Sequence, residues 1–254
     1  MKKLMFAIAA VAAGTVLADV TSANIVGYQT VPVKRGQYIA LGVQFKETGT
    51  EGKTIAVKDL LKANSAKGWT SLHARADQIH KWTGSAWMKF YYNSDINKWV
   101  KDGESGETTE TVSNGDTVFF VRSAAGANSG DTISISGEVN VIEPSQVVAV
   151  TRGGYYFITY PWPVQFAIKD FLTASSNPKG WTSLHARADQ VHRWTGSAWS
   201  KYYNNTDVGG YVKDGAADKV TEEKLDVGEG VFFVRSAAGA NSGDTITFTK
   251  PEGL

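Results

Sequence analysis

The segment from Gly68 to Tyr91, GWTSLHARADQIHKWTGSAWMKFY, recurs from Gly180 to Tyr203 with changes at only four places: Ile79/Val191, Lys81/Arg193, Met88/Ser200 and Phe90/Tyr202. A second segment, VFFVRSAAGANSGDTI, stands unchanged at 118–133 and 231–246. The offset is 112 residues for the first pair and 113 for the second, so one residue separates the copies in the loop between. Fainter likeness extends upstream, where Arg35-Gly36-Gln37-Tyr38 matches Arg152-Gly153-Gly154-Tyr155. A period of about 115 residues present twice means tandem domains, because solenoid repeats run at roughly 20–50 residues. The expected plan is a leader at 1–18, a first β-rich unit at 19–139 and a second at 140–254.

The leader expectation rests on MKKLMFAIAAVAAGTVLA: a basic pair, Lys2-Lys3, an apolar run too short to span a bilayer, and small residues before a cut after Ala18. It places the mature chain in the periplasm, at the cell surface or in the medium. No Cys occurs, which excludes disulfides, thiolate nucleophiles and Cys-based zinc sites. The chain has 26 basic and 25 acidic residues; losing Lys2 and Lys3 leaves 24 and 25, a balance with no pull toward nucleic acid or an anionic membrane. No second apolar stretch reaches membrane length.

The local pattern is mainly β. β-Branched and aromatic runs flank Gly-rich turns in QVVAVTRGGYYFITYPW, and DQIHKWTGSAWMKFYYN is a hairpin pattern turning at Thr83-Gly84-Ser85. DTVFFVRS and DTISISGEV add strands, joined by a small-residue loop from Ala124 to Gly130. One short helix per unit is expected where Val57, Leu60 and Leu61, and again Ile168, Phe171 and Leu172, fall at i, i+3 and i+4. The fold expected is two tandem β-sandwich-like domains, each with one short helix. The second core should use Ile168, Phe171, Val191, Trp199, Phe232 and Val234, and the first their counterparts.

These parts resemble a cassette that recurs in bacterial secreted and cell-surface proteins. Its elements stand here as Gly154-Tyr155 with Tyr160-Pro161, Lys169-Asp170-Phe171, Val191-His192-Arg193-Trp194 through Trp199 to Tyr202, and Gly228-Glu229-Gly230-Val231-Phe232-Phe233-Val234. The first copy departs from it, with Asn114-Gly115-Asp116 for the double glycine and no Pro after Gly42-Val43. The resemblance implies a small β-rich domain of envelope-associated proteins, and it brings no catalytic residues.

No nucleophile elbow, zinc-protease helix or phosphate loop is present, and no cofactor is expected. The four His are confined to the repeated segment. His73, Asp77 and His80, with His185, Asp189 and His192, have ligand types suited to zinc or copper, but a loop running into a strand would not bring them together. Asn93, Asp95 and Asn97 alternate like calcium ligands without the glycine such a loop needs. Sameness of polar residues between the copies points either to a surface shown twice or to exchange between the repeats at the DNA level; on the first reading the candidate contacts are Trp69, His73, Arg75 and Gln78 with Trp181, His185, Arg187 and Gln190. Trp69 and Trp181 are the expected exposed platforms, whereas Trp87 and Trp199 belong to the hairpin and the core. The functional expectation is a non-catalytic structural or interaction protein of the envelope, binding an envelope protein or polysaccharide that two copies would suit if it is repetitive. The alternative is a carbohydrate-binding module built on Trp69 and Trp181. The sequence does not fix the oligomeric state.

Overall fold

The structure is a computed structural model that describes residues 26–49, 52–61, 66–68, 75–123, 132–141, 143–182, 185–216, 218–238 and 243–254. The expected leader at 1–18, the expected loop at 124–130 and residues Trp69 and His73 lie outside them. The fold is mainly β with antiparallel sheets, and no helix among the described residues is long and apolar enough to cross a membrane.

In chain order the first half contains β1 (Val26–Pro32), β2 (Tyr38–Gly42), β3 (Phe45–Lys46), β4 (Thr54–Ala56), α1 (Val57–Leu60), β5 (Gln78–Trp82), β6 (Trp87–Asn93), β7 (Lys98–Lys101), β8 (Thr111–Ser113), β9 (Thr117–Val121) and β10 (Thr132–Val139). The second contains β11 (Ser145–Val150), β12 (Tyr155–Thr159), β13 (Phe166–Ala167), α2 (Phe171–Ala174), β14 (Gln190–Trp194), β15 (Trp199–Asn205), β16 (Gly210–Lys213), β17 (Lys224–Leu225), β18 (Gly230–Val234) and β19 (Asp244–Thr249).

Each half is organised on one five-stranded sheet, in the order β2-β9-β5-β6-β7 and β12-β18-β14-β15-β16. Smaller sheets accompany them: β1-β10-β3 and β4-β8 in the first half, β11-β19 and β13-β17 in the second. All of these ladders join strands on one side of residue 140. The apolar interior does not stop there, since one buried cluster holds Val43, Phe45 and Val139 together with Ile158, Tyr160 and Trp162.

Sequence pattern explains which strand sits where. β9 and β18 read TVFFV and GVFFV and are buried at every residue, as a central strand covered on both faces must be. β1 alternates exposed and half-buried positions and lies at an edge. The hairpin turns are locked by Thr83 and Thr195, whose hydroxyls each donate to the carbonyl three residues on at 2.9 Å. The helices are single turns. Val57 and Leu60 are buried on α1, while Leu61 has already left the helix in an extended conformation and is buried all the same. The tryptophan expected in each core, Trp87 or Trp199, is only half-buried.

The two invariant polar segments meet inside each half. Asp77, fully buried, accepts hydrogen bonds from Arg122 Nη1 at 2.7 Å, from the Ser123 amide at 2.8 Å and from the Lys67 amide at 2.7 Å. Asp189 repeats this with Arg235 at 2.6 Å, Ser236 at 2.9 Å and Lys179 at 2.8 Å. The Ser236 hydroxyl returns to the Arg187 carbonyl at 2.6 Å, and Ser123 does the same to Arg75. Much of the sameness that suggested a shared surface is therefore interior: one segment supplies the carboxylate and the other the Arg-Ser that satisfies it. Removing one partner of a buried ion pair leaves an uncompensated charge at a cost of about 3–5 kcal/mol. The Arg235 guanidinium also holds the buried Asp244 carboxylate, so we predict that Arg235→Ala, which strands both carboxylates, lowers the unfolding free energy by about that amount. Arg187→Ala, at an exposed position, changes it by less than about 0.5 kcal/mol. Urea titration of both variants measures the difference.

Candidate functional site

The two five-stranded sheets turn equivalent faces toward each other. Side chains alternate along a strand, so Ile79, Phe120, Val191 and Phe233 point into the large cluster and their neighbours point to the opposite face. Rows across that face follow from register: Ala40, Phe119, His80 and Lys89 in the first half, Phe157, Phe232, His192 and Lys201 in the second. The rings of Phe119 and Phe157 stand 4.8 Å apart, and those of Phe157 and Phe232 stack at 4.5 Å.

The contact is reciprocal, as a two-fold relation requires. Trp82 Nε1 donates to the Tyr155 carbonyl at 2.9 Å, and Trp194 Nε1 donates to the Tyr38 carbonyl at 2.9 Å. The Gly42 amide bonds the Gly228 carbonyl at 2.8 Å, and the Thr159 amide bonds the Gly115 carbonyl at 2.9 Å. Gln29 and Gln146 each donate across to the other half, to the carbonyls of Val227 and Asn114. The fit is not fully symmetric. A Cβ on Gly42 would lie 2.5 Å from Thr159 Cβ, and one on Gly230 would lie 2.0 Å from a Thr117 methyl, so each half has a glycine where the other brings a threonine.

Beside this contact lies an open cleft of about 640 Å³ to which both halves contribute. Its walls are two tilted tryptophan pairs, Trp82–Trp87 at 5.1 Å and Trp194–Trp199 at 5.0 Å between centroids. Tyr38 and Tyr155, 41% and 48% exposed, also line it. The indole N–H groups of Trp82 and Trp194 are used across the contact; those of Trp87 and Trp199 have no hydrogen-bond partner among the described residues. Trp87 and Trp199, expected in the core, thus line an accessible surface. Spacing gave no sign of this, because the neighbouring face is supplied from the other half of the chain.

His80 and His192 line the same cleft. Each ring donates from Nε2 to Oε1 of the glutamine two residues before it, Gln78 or Gln190, at 2.8 Å. His80 is buried against Tyr38 and Trp87. That burial, with Lys89 adding a like charge, pulls its imidazole down to about 4. Asp77 and His80 leave opposite faces of the strand, one toward Arg122 and the other toward the rings, so they do not share a metal. Among the described residues no three His, Asp or Glu side chains converge on a metal position. Burial pushes the Asp77 and Asp189 carboxyls up, against the opposing pull of their amide partners and of the guanidinium. Asn93 and Asn205 cap their turns, accepting from the amides of Asp95 and Asp207 at 2.9 Å.

Gln190 lies opposite Tyr203, and Tyr203 packs with Ala188 and Val212 beside half-buried Trp181. The Arg187 guanidinium covers the Trp181 ring at 5.0 Å from its centroid, so that ring is not a bare platform. Arg75 is exposed. Trp69, His73 and the His185 side chain lie outside what the structure describes.

No family model matches the chain, and neither does any curated protein or solved structure.

The position of His80 has a consequence for stability. The fold holds the neutral imidazole, whose folded value of about 4 lies below the ordinary 6.5. The stability contributed is complete above the unfolded value and is lost as pH falls from 6.5 toward 4. We predict that the melting temperature of the wild type, relative to that of His80→Gln, declines across this window and levels off below it; calorimetry at stepped pH measures the difference.

Proposed function

We propose that the chain is an exported, non-catalytic interaction module of the bacterial envelope that engages its partner through the cleft between its halves. The observation that carries the proposal is the composition of the cleft wall. Two tryptophan pairs and two exposed tyrosines form it, and no carboxylate, serine or threonine is among its lining residues. Accessible Trp and Tyr concentrate binding energy at interfaces because they bury large area at small entropic cost. A hydrolytic site would need a hydroxyl or thiol nucleophile with its base, or a carboxylate pair, in reach of the bound molecule, and the titratable groups of this wall are two imidazoles engaged with glutamine, Lys89 and the two tyrosines. Export and the envelope address come from the leader pattern and the cassette resemblance.

The expected outcome is that the purified mature protein co-sediments with envelope fragments of its native cell. Trp87→Leu combined with Trp199→Leu should reduce attachment at least about tenfold, as loss of two interface anchors at 1 kcal/mol or more each implies. Far-ultraviolet circular dichroism should be retained. Attachment that survives the double change in a folded protein would refute the cleft as the contact surface.

A further inference from the structure

We propose that this cleft binds a linear acidic polysaccharide, its sugar rings lying on Trp87 and Trp199 and its carboxylates meeting Lys89 and Lys201. This rests on the cleft being the interaction surface and adds the ligand's chemical class.

Charge is the first argument. Lys89 lines the cleft, and Lys201 stands at the equivalent place on the same sheet face, directly opposite His192. Both are exposed, and neither has a carboxylate partner among the described residues. Other lysines are neutralised in place by carboxylates. Lys46, Lys53, Lys58, Lys81, Lys98 and Lys101 in the first half all lie within 4.0 Å of a Glu oxygen. With no acid in the wall, the cleft repels cationic peptides and favours an anion.

Ring chemistry is the second argument. A pyranose has an apolar face of axial C–H groups and an equatorial belt of hydroxyls. The first suits an indole face, and the second suits donors such as Trp87 Nε1 and Trp199 Nε1, which have no partner among the described residues. A lipid tail would leave those donors and the lysines unsatisfied, at a cost for each buried polar group.

Repetition is the third argument. The two-fold relation supplies the same set twice, tryptophan pair, imidazole and lysine, on either side of the contact. A polymer of like units can occupy both sets at once, and joint occupancy of two weak sites can exceed single-site affinity by about 10²–10⁴.

The test uses the mature protein and tryptophan fluorescence titrations with polygalacturonate, alginate and hyaluronate. Comparators are fully methyl-esterified polygalacturonate, which has the same backbone without charge, and poly-glutamate, which has the charge without sugar. The expected result is saturable binding to at least one acidic polysaccharide. Affinity should fall at least about fivefold in Lys89→Ala/Lys201→Ala, since exposed ion pairs are individually modest, and it should fall again in high salt. Both comparators should bind more weakly. Equal binding of the esterified polymer, unaffected by the lysine changes, would overturn the acidic class. Equal binding of poly-glutamate would overturn the sugar. If no polysaccharide binds while envelope attachment still requires Trp87 and Trp199, the ligand class is wrong and the interaction module stands. If attachment does not need those tryptophans either, both proposals fall.

Discussion

Phe157 packed between Phe119 and Phe232, at 4.8 and 4.5 Å, is the contact on which the rest of the molecule depends. Each five-stranded sheet has apolar side chains on both faces. One face is covered within its own half, and the other has only the opposite half to cover it. The first half has Ala40 at the place where the second has Phe157, and that difference lets one ring fill the gap between two sheets rather than collide with its own equivalent. Aromatic pairs in such tilted and stacked arrangements contribute about 0.5–1.5 kcal/mol each beyond burial. Trp82 and Trp194 then satisfy their indole N–H groups on the opposite half, which fixes the angle at which the sheets meet.

The cleft is a by-product of that geometry. The hairpins β5–β6 and β14–β15 place their tryptophans on the face that only the opposite half covers, and there the rings pack on Phe119, Phe157 and Phe232 across the contact while remaining half-buried walls of the cleft. Gly42 against Thr159 and Gly230 against Thr117 make the fit one of unlike partners. Two copies of the same half placed in this arrangement would bring glycine to glycine or threonine to threonine, leaving a void or a clash. The pairing thus favours the two halves of one chain over like halves of two chains.

Much of the fold was legible in the sequence because its causes are local. The VFFV runs, the Thr-Gly-Ser turns and the single helical turns at Val57 and Phe171 follow from residue type and period. The polar sameness of the copies was visible but its cause was not. Asp77 and Arg122 are 45 residues apart, and only the fold shows that one segment's carboxylate is held by the other's guanidinium. The site was half legible for a similar reason. His80, His192, Gln78 and Gln190 stood out, and they do lie on the face that carries the cleft. Trp87 and Trp199 were assigned to the core, since their exposure is decided by the partner half. Trp181 looked like a platform because nothing in the sequence shows Arg187 lying over it.

The central claim is that the two halves are locked together through this face, and the most direct measurement is a double-mutant cycle at Gly42 and Thr159 by urea unfolding. The contact of 2.5 Å between the added Cβ and Thr159 Cβ predicts that Gly42→Ala destabilises the wild type by about 1–3 kcal/mol, as overpacking does. In a Thr159→Gly background the same change should cost less than about 0.5 kcal/mol, and unfolding should remain a single transition. Equal cost in both backgrounds, or two separate unfolding transitions, would show that the halves do not share this interface and would contradict the account.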